Sequence, residues 1–177
     1  KDLGGQREDQ LDILSLIKEQ ESYLSSKEDF NNFQFDPSKR IFGLFAKEGF
    51  VREDSEPNLL EMFNFTLEQS KRMLVNNCAG FFIMTEGSQI DWEGHENDFN
   101  GVFKEMDEFD QVVDRALEYA KSDQNTLVIV LSDHETGGLL IETDDWNRDP
   151  EPSNKMKISW NTAVGIGTHT GSMIPAF

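Results

Sequence analysis

The chain has only three histidines, and each stands near an acid or a hydroxyl: His95 in "IDWEGH", His134 in "SDHETGG" and His169 in "GTHTGS". Asp91 and His95 are four residues apart, so on a helical turn they share one face. A carboxylate and an imidazole that close suit zinc, which takes nitrogen and oxygen ligands at about 2.0–2.2 Å. Asp133 and His134 stand side by side where the apolar run "LVIVL" (127–131) ends. Glu86 closes a second apolar run, "AGFFIMTEG" (79–87). His169 lies between glycines, which let a backbone approach a bound group closely. Each feature also has an ordinary reading: a helix side-chain contact, a surface pair, a helix cap, a turn residue. The case for a metal centre rests on coincidence, since every histidine falls in such a setting. Bound cations would also offset the field of so acidic a site toward an anionic substrate.

Other chemistries find less support. Ser88 sits in "EGSQ", which is not a G-x-S-x-G elbow. Ser132 reads as a strand-end residue and Ser172 follows "HTG"; neither shows an adjacent activating base. There is no G-x-x-x-x-G-K-[ST] loop and no G-x-G-x-x-G. The sequon "NFT" (64–66) falls inside a predicted helix and is discounted. The one cysteine, Cys78, excludes an internal disulfide and reads as a small packed residue.

These residues need elements to position them. The runs at 79–87 and 126–131 read as buried strands. Between them lies an amphipathic helix over about 102–121, with Met106, Phe109, Val113, Leu117 and Ala120 on one side. Strand, helix, strand at that spacing predicts a βαβ crossover with parallel strands, covered on both faces. Such sheets place ligands at the carboxyl ends of their strands, and Glu86, Asp133 and His134 stand there. Upstream, Leu11, Leu14 and Ile17 predict a helix over 8–22, and "SSKEDFNNF" a short helix or turn. "RIFGLFAKEG" reads as a short strand or turn. Pro57 opens a helix over 57–76 with Leu60, Phe63, Leu67 and Leu74 as its stripe. "KMKISWN" reads as a strand after an acidic loop over 143–154.

The 177 residues suffice for one domain with a sizeable core. Sixteen basic against 34 acidic residues give a formal charge of −18, which argues against nucleic acid or an anionic membrane as partner. The apolar runs fall far short of the ~20 residues that span a bilayer. Residues 1–10 show no signal-peptide pattern, and the absence of a starting Met suits a mature product or a fragment.

Together, "TEGSQIDWEGHEND", "TLVIVLSDHETGG" and "GTHTGS", in this order, resemble the metal-binding segments of alkaline phosphatases. "LGGQREDQLDILSLIKEQ" and "IFGLFAKE" are similar to intermediate segments of the same family, so the resemblance covers nearly the whole chain. It implies an α/β fold, a three-layer sandwich whose mostly parallel sheet is flanked by helices, here incomplete. It also implies two zinc ions and one magnesium ion. Asp91, His95 and His169 would hold the first zinc, Asp133 and His134 would contribute to the second, and Glu86 would bind magnesium. Trp92, as in a branch from marine and cold-environment bacteria, would lie near the bound phosphate.

The family's serine nucleophile, phosphate-clamping arginine, bridging aspartate and remaining magnesium ligands are expected upstream of Lys1. No catalytic residue is therefore expected in this chain, which reads as a single partial domain over 1–177 lacking the nucleophile segment and the extreme C-terminus. The implied reaction is hydrolysis of phosphate monoesters to inorganic phosphate through a phosphoserine, with the isolated fragment inactive. The implied whole protein is a homodimer in the periplasm or outside the cell. Two alternatives stand beside this: a related two-metal phosphodiesterase, sulfatase or phosphomutase, and a non-catalytic acidic metal-binding module.

Overall fold

The computed structural model describes residues 8–9, 11–47, 49, 54–74, 79–143, 156–163 and 168–177. Cys78, nearly all of the expected acidic loop and the end of the helix expected to reach 76 lie outside the described residues. The chain divides into two compact units, Lys1–Met84 and Thr85–Phe177.

In the first unit, α1 (Ile13–Gln20) is shorter than the helix expected over 8–22. Asp12 starts it: its carboxylate accepts the Ser15 N–H at 3.0 Å and the Ser15 hydroxyl at 2.6 Å, as an N-cap does. It ends because Glu21 turns extended (φ −124°, ψ 174°) and its carboxylate takes the backbone N–H and guanidinium of Arg40. That contact joins β1 (Ser22–Leu24) to β2 (Ile41–Gly43) in a three-residue parallel pair. α2 (Lys27–Asn31) is capped by Ser26, whose Oγ accepts the Asp29 N–H. α3 (Leu59–Leu74) begins with a reciprocal cap in which Asn58 Oδ1 accepts from Glu61 N–H at 2.8 Å and Glu61 Oε2 from Asn58 N–H at 2.9 Å. Leu24, Phe63, Leu67 and Pro57 are the buried centre. Phe65 packs between Phe30 and Phe33, at centroid distances of 4.6 and 5.2 Å.

The second unit contains α4 (Gln89–His95) and α5 (Phe99–Asp123). Its strands are β3 (Glu135–Thr136), β4 (Leu139–Thr143), β5 (Met156–Trp160) and β6 (His169–Thr170). Asn97 at φ 55° turns the chain between the helices, and Asp98 caps α5 by accepting the Asn100 N–H. α5 runs to Gln124, which ends it in the left-handed conformation. Val112 is its buried residue, whereas Met106 and Leu117, expected on the covered face, are exposed. β4 and β5 pair antiparallel, Leu139 opposite Trp160; β3 and β6 pair antiparallel over two residues each. No helix among the described residues is long and apolar enough to cross a membrane.

The chain is α/β, and the sheet is incomplete, as expected: the described strands form three two-stranded sheets, of which only β1–β2 is parallel. The expected buried parallel strands at 79–87 and 126–131 are a correction. Both keep an extended, alternating exposure, but neither lies in a ladder; the second has only a bridge from Leu131 to Ala176 and a reciprocal backbone pair between Val130 and Phe177. Phe82 (89%), Met84 (79%), Leu127 (81%) and Ile129 (61%) are exposed. An apolar run of this kind encodes a strand meant to be flanked and covered, and no flanking ladder is present among the described residues.

Candidate metal centre

α4 carries Asp91 and His95 one turn apart, and the 3.3 Å from His95 Nε2 to Asp91 Oδ2 follows from that spacing. β6 brings in His169, whose Nε2 lies 3.3 Å from Asp91 Oδ1. The three side chains each offer one ligand atom, all within 4.8 Å of one another, and together they could hold a metal ion. A tetrahedral zinc with bonds of about 2.0–2.1 Å sets its ligand atoms about 3.3 Å apart. The two Asp91–imidazole distances run to different carboxylate oxygens, so the three side chains stand within reach of a common ion without yet forming a tetrahedral set; two nitrogens with one oxygen are a zinc donor set. Three protein ligands would leave a fourth position open, as a catalytic zinc needs.

His134, just before β3, stacks its ring on that of His169, with centroids 3.4 Å apart and planes 19° from parallel. Its Nδ1 is 4.0 Å from Asp91 Oδ1. Asp133 Oδ2 lies 3.2 Å from His134 Nε2, on an exposed side chain. The pair expected for a second metal therefore adjoins the first group, though outside it. Trp92 is half exposed on α4, next to Asp91. Glu86 is exposed in the extended segment before α4 and is not in the Asp91–His95–His169 group.

The helix and the strands meet through two glycines. A Cβ on Gly137 would stand 2.7 Å from the Gly94 carbonyl oxygen and 2.8 Å from the Trp160 ring, and Gly137 has φ +81°. A Cβ on Gly94 would touch Thr136 at 3.1 Å. This close approach sets the α4 face carrying Asp91 and His95 against β3.

Two neighbours of His134 are built into the site without having been singled out from the sequence. Thr136 Oγ1 donates to Asp91 Oδ1 at 2.5 Å and lies 3.3 Å from His134 Nδ1. Glu135 accepts the N–H groups of Gly138 (2.6 Å) and Leu139 (3.2 Å) on Oε1. Its Oε2 takes the hydroxyl (2.5 Å) and N–H (3.3 Å) of Thr170. Partial burial pushes the Glu135 carboxyl up, and these four donors more than offset it, holding it below its ordinary value. The only sequence signal for either residue is its place between the "DH" pair and the two glycines.

A family model described as alkaline phosphatase matches residues 1–165. Alkaline phosphatase 3 of Bacillus subtilis (strain 168) is 36% identical over 144 residues, 77% of this chain and 30% of its own length. Alkaline phosphatase of Escherichia coli (strain K12) is 39% identical over 93 residues, 52% of this chain and 19% of its own length. The solved structure of alkaline phosphatase from the Antarctic bacterium TAB5 superposes with a TM-score of 0.71 at 29% identity, over 98% of this chain and 49% of that one. This chain thus spans about half of that structure and under a third of the curated relatives named.

Proposed function

The chain belongs to the alkaline phosphatase family, and from that premise we propose that Asp91, His95 and His169 hold a zinc ion at the centre of a phosphate-monoester hydrolase. The observation that carries this is the convergence of an α4 carboxylate and imidazole with the β6 imidazole, their ligand atoms within 4.8 Å of one another. Asp133 and His134 contribute to a second zinc, and their position beside the first group supports that role. Glu86 supplies one carboxylate toward magnesium, and Trp92 lines the phosphate position; both assignments rest on the resemblance. Zinc ions bound in such a pair stabilise the attacking and leaving oxygens of an in-line displacement.

The chain's own residues set the geometry for this. Asp91 presents one carboxylate oxygen to His95 and the other to His169, while Thr136 fixes its orientation. Trp92 is half exposed on α4, one residue after Asp91. Ser132 donates its hydroxyl to the His134 carbonyl at 2.6 Å, and Ser172 Oγ lies 3.1 Å from Thr170 Oγ1. Both hydroxyls are engaged in these contacts, and the placement of the nucleophilic serine outside residues 1–177 rests on the resemblance. The whole protein then hydrolyses phosphate monoesters to inorganic phosphate as a homodimer in the periplasm or outside the cell, and this chain alone turns over none.

Zinc titration of the chain tests the reading. One tight site, lost in His169→Ala, is the expected result; many weak sites indifferent to that change would replace it with a diffuse acidic binding surface. Phosphate-monoester turnover by the purified 1–177 chain, abolished in His95→Ala, would overturn the placement of the nucleophile.

A further inference from the structure

We propose that Glu135 is a positioning residue for this centre: its carboxylate locks β3, the Gly137–Gly138 turn and β6 together, so that His134 and His169 stack. The inference rests on the metal reading for its purpose but not for its geometry. β3 and β6 share two residue pairs, Glu135 with Thr170 and Thr136 with His169, extended by one backbone bond from Gly137 N–H to the Thr168 carbonyl at 3.2 Å. A ladder that short specifies its register weakly, and a slip of one residue sends every side chain of the strand to the opposite face. For β6 that slip would carry the His169 imidazole away from Asp91 and His134. Glu135 supplies the missing specification. Its Oε2 takes both the hydroxyl and the N–H of Thr170, the residue after His169. Its Oε1 takes the Gly138 and Leu139 N–H groups, fixing the turn that follows Thr136. One carboxylate thus joins the residue after His134 to the residue after His169.

The chemistry of the clamp makes it testable. Donors face both oxygens, so only a group with an acceptor on each side satisfies them. Glu135→Gln keeps the size of the side chain but turns an NH2 toward donors on one side, whichever way the amide faces. Thr170→Val removes the hydroxyl contact and leaves the backbone one.

The test is nuclear Overhauser contact between the His134 and His169 rings in the metal-free chain, alongside zinc affinity by chelator competition. The unmutated chain should show the ring–ring contact, Glu135→Gln should lose it, and Thr170→Val should weaken it. Zinc binding in Glu135→Gln should fall by about 10–100-fold, the usual effect of removing a group that orients a metal ligand. A Glu135→Gln chain that keeps both the ring contact and the affinity overturns the proposal. If the unmutated chain has no His169-dependent zinc site, the metal reading fails, and the ring contact still decides the role of Glu135. If Glu135→Gln does not fold, Thr170→Val decides it by the same two measurements.

Discussion

Asp91 faces all three imidazoles of the chain, at 3.3 Å from His95, 3.3 Å from His169 and 4.0 Å from His134. It also accepts the Thr136 hydroxyl. Its charge is therefore central to any cation held there. Asp91→Asn removes the carboxylate charge and replaces one of its oxygens by an amide nitrogen that cannot coordinate. The expected outcome is loss of the tight zinc site with α4 intact, read by calorimetric titration alongside circular dichroism; unchanged affinity would remove Asp91 from the ligand set. The pairing of Asp91 with His95 was legible because it is local: an i,i+4 spacing needs only one helical turn to share a face, and α4 supplies that turn although no helix was predicted there. The roles of Glu135 and Thr136 were not legible. Their decisive partners, Thr170 and Asp91, lie 35 and 45 residues away, and no periodicity says which polar residue after a ligand pair will reach them.

Elements carry the next part of the argument. α4 reaches the strands only because Gly94 and Gly137 let backbones approach, and Gly137 is also left-handed. Gly137→Ala combines the left-handed penalty with overpacking against Trp160, so the second unit should lose about 2–5 kcal/mol of stability. A thermal unfolding midpoint within a degree of the parent would contradict this. In the first unit, partial burial pushes the Glu61 carboxyl up, and the Asn58 N–H and Lys27 ammonium more than offset it, leaving it below its ordinary 4.5. A depressed carboxyl stabilises the folded chain above its unfolded value and loses that contribution as pH falls through its folded one. The stability gap between the parent and Glu61→Gln should therefore be full near neutrality and shrink as pH falls below the ordinary 4.5 toward the lowered folded value. A gap that widens on acidification would contradict the sign. Removing the reciprocal acceptor with Asn58→Ala should cost about 1 kcal/mol. The long helices α3 and α5 were legible from their 3.6-residue periods. The two-residue strands β3 and β6 were not, because a ladder that short is set by a side-chain clamp and a glycine turn rather than by an alternating pattern.

At the scale of the whole molecule, two opposing features govern behaviour in solution. The apolar runs at 79–87 and 126–131 were legible as extended segments but not as unpaired ones, since sequence records what a strand is built to contact and not whether the contact is present. Each unit consequently exposes large apolar side chains, Phe82 and Met84 in the first and Leu127 and Ile129 in the second. Extended apolar segments outside a ladder are sites of self-association. Against this stands a formal charge of −18, which keeps copies apart while its field is unscreened. Salt shortens the screening length from about 30 Å at 0.01 M to about 8 Å at 0.15 M, so repulsion fades while apolar attraction does not. The 1–177 chain should sediment as a monomer at low salt and associate as salt is raised. Leu127→Lys with Ile129→Glu leaves the net charge unchanged and removes two exposed apolar side chains, so it should delay association to higher salt. Equal association of the parent and this double variant at every salt concentration would locate the attraction elsewhere in the chain.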